Sequence, residues 1–405
     1  MKKFIIVFLT FVLIVSMNIT AFAETVQKDT RPEKIAEVIT KVYKNKDINS
    51  NYDLSSYFTP DVLFFLNDKI EVERYVDELY GFERQNYTIM VTLKNKSMVE
   101  NVMQLEYKVE TTYNYSIFKD TTSIRSERVI ILFDTSKNLI IDFFTPNSFY
   151  DRDSRNEDSI SYYLDKTNSS PKFTFTNEIK NAKSKIINDI DTVYSVQMTP
   201  PDANKIPIST IAKRSGVGIN RTAVVSYAKN NCHKATPSSG STDISYVDFS
   251  ELGTWYNPSY DCTNFVSHAI LAGGAVRYDS GQSGITDNNR WYFRNTENRA
   301  KAWSSVQKLH EYLTTNNVSG TAAGIDDEYV NYDGYWATGY IIQITRPNNS
   351  NFSHSMIITK KEVIANRAYA FATGRTDDTV YNYDDAIEDL EPTQLKRVIY
   401  VLNNN

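Results

Sequence analysis

The stretch Asp261-Cys262-Thr263-Asn264-Phe265-Val266-Ser267-His268-Ala269-Ile270-Leu271-Ala272-Gly273-Gly274 decides the fold of the second half of this 405-residue chain. Its apolar residues recur at helical spacing, which predicts a short helix packed on a core. Asp261 is a good N-cap, and the two glycines are a good stop. Cys262 therefore lies in the first turn of the predicted helix.

A thiol in the first turn of a helix has a particular chemistry. The positive end of the helix dipole favours the thiolate, and the unbonded backbone N–H groups of that turn can stabilise an oxyanion. A base would have to come from elsewhere, and His354 lies in the β-branched, apolar run 352–359, which predicts a strand. Cysteine on a helix followed by histidine on a strand is the chain order of papain-like hydrolases.

The two cysteines also allow a different interpretation. In an exported chain, Cys232 and Cys262 could form a disulfide, and Cys262 would then have no catalytic role. The polar, helix-start setting of Cys262 favours the catalytic interpretation, but the sequence leaves the state of Cys232 open.

The N-terminus predicts export. Residues 1–23 combine two lysines, an apolar segment and Ala21-Phe22-Ala23 before Glu24, the pattern of a cleaved signal peptide. No later segment is long and apolar enough to span a membrane, so the expected location is extracellular or cell-wall associated, of Gram-positive type, with no membrane partner after cleavage. The formal net charge of −5, which becomes more negative once Lys2 and Lys3 are removed, argues against nucleic acid as a partner.

Residues 29–150 predict an α+β domain with helices on one face of a curved antiparallel sheet. One helix begins near Pro32, a second follows Pro60, and a third carries Val72 to Leu79. The apolar period then changes to two over the predicted strands Tyr87–Leu93, Val102–Val109, Arg128–Phe133 and Leu139–Phe144. This element order resembles the cone-shaped NTF2-like fold, and no chemical motif supports a catalytic role for this domain.

Residues 151–220 predict a linker with one helix, at about 177–194, and a boundary at Pro200-Pro201. The linker is either a spacer or a processing site.

Residues 221–403 predict a second α+β domain in which helices precede an antiparallel sheet. Its helices are expected at Arg221–Asn231, at the Cys262 stretch and at Ser304–Leu313; its strands at Gly339–Ile344, Ser355–Thr359, Arg367–Thr373 and Arg397–Leu402.

This second domain resembles the amidase domain of Gram-positive bacteria, a papain-like group akin to the NlpC/P60 and CHAP hydrolases. The most specific marker is Asp261-Cys262-Thr263-Asn264-Phe265-Val266-Ser267 with the glycines that follow. Weaker markers in the expected order are Arg221 to Ala228, Asn257-Pro258, Trp291-Tyr292, Ala302-Trp303, Tyr312-Leu313 and His354-Ser355. The resemblance implies that Cys262 is the nucleophile, that His354 is the base, and that the reaction is hydrolysis of an amide, in peptidoglycan before other substrates, with no cofactor.

The chain departs from that family in three places. His268 replaces a usual glutamine and is expected to point away from the thiol, and Gly339-Tyr340 replaces a Gly-Asp step. Ala372-Thr373 stands where a second histidine often orients the base, so we expect Thr373, or alternatively Asp377, to supply the third polar group.

The remaining candidates are less specific. Trp255, Tyr256 and Tyr260, together with Asp261, flank the cysteine and are expected to line a substrate cleft, although the aromatic residues suit a core equally well. The cysteines and the four histidines show no repeated ligand spacing, which argues against a zinc site, and His310 is expected to face solvent.

Three functions therefore remain open from the sequence: a wall hydrolase acting on peptidoglycan, a secreted cysteine protease acting on proteins, and an inactive papain-like binding or adhesion protein. The sequence does not indicate the bond that is cut, the role of the first domain or the oligomeric state.

Overall fold

The computed structural model describes residues 29–46, 50–118, 120–146, 148–154, 181–198, 219–232, 262–278, 281, 284–286, 290–295, 298–316, 321–327, 337–345, 352–364, 367–377, 380–386 and 392–403. The predicted signal peptide at residues 1–23 and the Pro200-Pro201 boundary lie outside these residues. Within them, no helix is long and apolar enough to cross a membrane.

The N-terminal half contains helices and a meander, as predicted. Its elements are α1 (Arg31–Lys44), α2 (Pro60–Tyr80), β1 (Arg84–Val99), β2 (Val102–Tyr115), β3 (Thr122–Asp134), β4 (Leu139–Phe144), α3 (Phe149–Ser154) and α4 (Ala182–Met198). The prediction of two helices between Pro60 and Leu79 was wrong, because α2 is a single helix. The polar residues Lys69 and Glu73, which interrupt its apolar pattern, are buried in ion pairs with Asp151 and Lys46.

The C-terminal half follows the same order of helices before strands. Its helices are α5 (Arg221–Asn231), α6 (Cys262–Ala272), α7 (Lys301–Ser304) and α8 (Val306–Thr315). Its strands are β5 (Phe293–Asn295), β6 (Asn298–Arg299), β7 (Ala322–Asp327), β8 (Ile341–Thr345), β9 (Phe352–Ile364), β10 (Arg367–Asp377), β11 (Val380–Ala386) and β12 (Leu395–Asn403). The short helix α7 and the strands β5, β6, β7 and β11 were not predicted from the sequence.

One sheet joins the two halves. The strand order is β1-β2-β3-β11-β10-β9-β8-β12-β7, and β4 pairs with β3. The junction is the antiparallel pairing of β11 with β3, where Asn382 faces Arg125 and Tyr383 faces Ile124. The chain is therefore α+β with antiparallel strand pairing, as predicted, and its two halves are continuous through the sheet.

Aromatic packing reinforces this junction. Phe118, which follows β2, makes edge-to-face contacts with Phe371 and Tyr369 of β10, with ring centroids 4.7 and 5.0 Å apart. The buried cluster around them also contains Ile186 and Ile190 of α4. The helix predicted within the linker thus exists, and it packs on the N-terminal half, where Asp191 accepts a hydrogen bond from Tyr75 of α2.

The sheet of the C-terminal half has two distinct buried faces. Ile341, Ile357 and Ile399 share a core with helices α5, α6 and α8. The alternate residues of the same strands, among them Ile342, Met356 and Ile358, form a second cluster on the other face. We call these the helix face and the far face, because successive side chains of a strand point to opposite sides of a sheet.

Candidate active site

Cys262 is the first residue of α6, as the sequence predicts. The residue is 3% exposed, and its Sγ lies 3.7 Å from the hydroxyl of Thr263. The first backbone N–H groups of a helix have no partner within the helix, so they are available to an anion next to this thiol. Cys262 and Cys232 are both buried, and no disulfide joins them in the structure. The predicted N-cap Asp261 lies outside the described residues.

Polar contacts fix α6 against α7. Asn264 accepts a hydrogen bond of 2.8 Å from the indole N–H of Trp303, and the Ser267 hydroxyl donates to the Trp303 carbonyl at 2.9 Å. The Trp291 indole donates to the same hydroxyl. Because all four groups are buried, these bonds specify one orientation of the helix and therefore one position of its first turn.

The other end of α6 is held against α5. Asn220 caps α5 and donates its N–H to the Gly273 carbonyl at 2.8 Å. A Cβ atom at Gly273 would lie 2.5 Å from Cγ2 of Val224, so only glycine allows the two helices to approach this closely. The helix α6 ends at the glycine pair, as predicted, and Gly273 also allows α6 to pack closely against α5.

His354 lies near the start of β9 and is 8% exposed. It pairs with Ile344 of β8, whereas Phe352 pairs with Thr345, so Ser353 forms a bulge between them. The bulge sends the Phe352 ring to the helix face, where it stacks on His310 of α8, and His354 to the far face with Met356. The far-face position places the imidazole next to Gly374 of β10.

Thr373 lies on the opposite side of the sheet from this imidazole. It pairs with Ile357 of the helix face, and its hydroxyl lies 2.8 Å from that of Thr359. The structure therefore does not bring the predicted third polar group to His354, because adjacent positions of β10 alternate between faces. The alternative, Asp377, is the last residue of β10, and its side chain lies outside the described residues.

His268 is structural, as expected. Its ring packs edge-on against Trp303 at 5.1 Å and stacks on Tyr227 at 6.4 Å. Burial, with a smaller effect from the charge of Arg277, lowers the pKa of His268 to about 3, so its imidazole is neutral at physiological pH.

The prediction that His310 faces solvent was wrong. Its ring stacks on Phe352 at 4.2 Å, and its Nδ1 lies 3.1 Å from Oε1 of Gln343. This contact depends on the bulge that turns Phe352 toward α8, which the sequence does not reveal.

The predicted cleft residues Trp255, Tyr256 and Tyr260 lie outside the described residues. Among the described residues, no group of three or more His, Cys, Asp and Glu side chains is placed to hold a metal ion. Gly374 was not singled out from the sequence, although it lies two positions after Ala372, where the related family often has its second histidine.

Comparison with protein families supports the assignment of the C-terminal half. Residues 218–398 match a family model described as "Putative amidase domain". The matched region contains α5, α6, His354 and all but the end of the C-terminal sheet, and it supports a hydrolase acting on amides. No curated protein matches the chain, and no solved structure matches it.

Proposed function

We propose that this protein is a secreted cysteine hydrolase that cleaves amide bonds in cell-wall peptidoglycan, with Cys262 as the nucleophile and His354 as the base. The observation that carries the proposal is the position of Cys262, buried at the start of a helix within the matched amidase region. A helix start favours the thiolate over the thiol and supplies donors for the charge that develops on a substrate carbonyl.

The proposed reaction has two halves. His354 accepts the proton of Cys262, and the thiolate attacks the amide carbon to give a tetrahedral intermediate whose oxyanion is held by N–H groups of the first turn of α6. The imidazolium then protonates the leaving amine, and the C–N bond breaks. Water hydrolyses the resulting thioester and regenerates the thiol.

The orientation of the His354 side chain is the observation that weighs most against its role as the base. Proton transfer needs the imidazole within hydrogen-bond reach of the sulfur, about 3.2 Å or one bridging water. The alternation of β9 sends the imidazole to the far face, while α6 packs on the helix face. The imidazole and α6 therefore lie on opposite faces of the sheet, so the role of His354 as the base is proposed from residue type and chain order and is tested separately from that of Cys262.

Peptidoglycan is proposed as the substrate because the predicted signal peptide would deliver the enzyme to the cell wall. The amidase match supports the bond type but does not distinguish a wall amide from a peptide amide. The assay must therefore offer both substrates.

The test incubates purified mature protein with peptidoglycan and, separately, with casein, and identifies new amines by mass spectrometry. We expect amine release from peptidoglycan that is lost in Cys262→Ala and retained in Cys232→Ser, the matched control at the second buried thiol. Release from casein alone would replace the wall substrate with protein. No Cys262-dependent product from either substrate would overturn the proposed function.

A further inference from the structure

The N-terminal half contains a cavity of about 410 Å³ at the C-terminal end of α2. This volume is within the range of about 300–1,000 Å³ that is typical of small-molecule sites. Its charged lining residues are Lys46, Arg74, Asp77, Glu78, Glu83 and Arg84. Three cations and three carboxylates thus line one space, which matches a ligand that carries both charges better than a simple anion or cation.

The charges are arranged along α2. Arg74, Asp77 and Glu78 are spaced at i, i+3 and i+4 and therefore share one face of the helix. Arg74 precedes Glu78 by four residues, about 6 Å along the axis. Glu83 adds a third carboxylate just beyond the C-terminal end of the helix, where the dipole is negative. The cavity therefore has a cationic part near Arg74 and an anionic part near Glu78 and Glu83.

A buried ionic network adjoins the cavity and shares Lys46 with it. Lys46 lies 2.9 Å from Glu73 and 4.0 Å from Glu127, and Arg125 lies 3.1 Å from the other oxygen of Glu127. The hydroxyl of Tyr43 donates to Glu127 at 2.6 Å. Networks of this kind are costly to bury and give little net stability, so a binding role is one reason for retaining them.

The two shared cations connect this network to the cavity. Lys46 and Arg84 line both the cavity and the buried cluster behind it. Arg84 is held by an ion pair of 3.0 Å with Asp77, whereas Arg74 is half-buried and donates one N–H to the carbonyl of Ser50 at 2.7 Å. The fork of a guanidinium is suited to binding a carboxylate through two parallel hydrogen bonds.

We infer that this cavity binds a small zwitterionic peptide, with the peptide carboxylate at Arg74 and its ammonium group at Glu78 and Glu83. A dipeptide fits the charge spacing, because two residues span at most about 7 Å. Phe82 provides an apolar wall for a side chain. The inference does not depend on the proposed function, although an amide hydrolase would release ligands of this class.

The test is calorimetric titration of the full mature protein with three probes: dialanine, N-acetyl-dialanine, which lacks the ammonium group, and dialanine amide, which lacks the carboxylate. We expect dialanine to bind, and each capped peptide to bind at least tenfold more weakly, because each lacks one of the two charge-assisted contacts. Equal affinity for all three probes, or no binding of dialanine by the folded protein, would overturn the inference.

Two variants locate the charges. Arg74→Gln should weaken dialanine at least tenfold and leave dialanine amide unchanged, and Glu78→Gln combined with Glu83→Gln should weaken dialanine and leave N-acetyl-dialanine unchanged. Lys34→Gln and Glu37→Gln, at exposed positions of α1, are the charge-matched controls. If the variants behave like these controls, the ligand is not held at this cavity. Cys262→Ala should retain binding, so failure of this inference and failure of the proposed catalysis are separate outcomes.

Discussion

The imidazole of His354 lies directly against the backbone of Gly374 on the neighbouring strand. A Cβ atom at Gly374 would be 3.3 Å from Nε2 of His354 and 2.5 Å from Cγ of Met356. The second distance is shorter than real Cβ contacts, so a side chain at position 374 would have to displace Met356, and the first distance means that it would also press on the imidazole. Gly374 is therefore a positioning residue for the proposed base.

This relationship predicts that Gly374→Ala impairs both stability and catalysis. The added methyl group must displace Met356, which costs about 1–3 kcal/mol in a well-packed core, and it crowds the imidazole. We expect a lower Tm and a changed pH dependence of amide hydrolysis, measured by thermal unfolding and by pH–rate profiles.

Gly273→Ala is the matched control, because its new methyl group would meet Val224 at the same 2.5 Å but far along α6 from Cys262. It should lower the Tm similarly and leave the pH–rate profile unchanged. An unchanged profile in Gly374→Ala would remove the positioning role of Gly374.

A second prediction concerns His268 and pH. Its pKa is lowered by burial to about 3 in the folded protein, below the value of about 6.5 expected for unfolded histidine. The unfolded chain therefore binds the proton more readily than the folded protein. The contribution of neutral His268 to the free energy of unfolding is complete above pH 6.5 and is lost as the pH falls toward 3.

We expect the free energy of unfolding to decrease between pH 6.5 and 5 by about 1–2 kcal/mol through this residue, measured by urea denaturation. His268→Gln should remove that part of the pH dependence. The same pH dependence in the variant and in the wild type would show that His268 is not held neutral by the fold.

The sequence predicted most elements of this fold, and the failures have physical causes. The four strands of the meander and the helix at Cys262 have clear apolar periods, and all of them form. By contrast, two helices were predicted in place of α2, because buried Lys69 and Glu73 resemble solvated residues until their ion-pair partners are known.

The candidate site was predicted less completely. Residue type and chain order identified Cys262 and His354, but the bulge at Ser353, which decides the face on which His354 lies, has no local signal. The pairing of β11 with β3 joins residues more than 250 positions apart, and no local sequence pattern predicts it.

A third prediction concerns the buried carboxylate of Glu127. Burial alone would raise its pKa, but the charges of Arg125, Lys46 and Lys69 outweigh burial and lower the pKa to about 2. The stabilising contribution of Glu127 is therefore present above about pH 4.5 and is lost as the pH falls toward 2.

Glu127→Gln leaves Arg125 and Lys46 without this partner and should cost about 3–5 kcal/mol at pH 7, measured by chemical denaturation. The difference from the wild type should shrink as the pH falls below 4.5. Glu37→Gln, at an exposed position, should cost nothing measurable; equal stability of the Glu127 and Glu37 variants would show that Glu127 is not needed to compensate the buried cations.

A fourth prediction tests the junction between the halves. Phe118→Ala removes the ring that contacts Phe371 and Tyr369 and should cost about 3–5 kcal/mol. Because that ring joins the halves, we expect calorimetry to show two separate transitions in the variant and a single one in the wild type. Phe143→Ala, within the core of the N-terminal half beside Phe58, should lower the Tm without separating the transitions.

The central claim is that the Cys262 thiol is activated at the start of α6 with His354 as its base. The most direct measurement is the rate of iodoacetamide alkylation of Cys262 as a function of pH, followed by peptide mass spectrometry in the wild type and in His354→Gln. The account predicts an apparent thiol pKa below the ordinary value of about 8.5 in the wild type and a higher one in the variant. An ordinary thiol pKa that is the same in both proteins would contradict it.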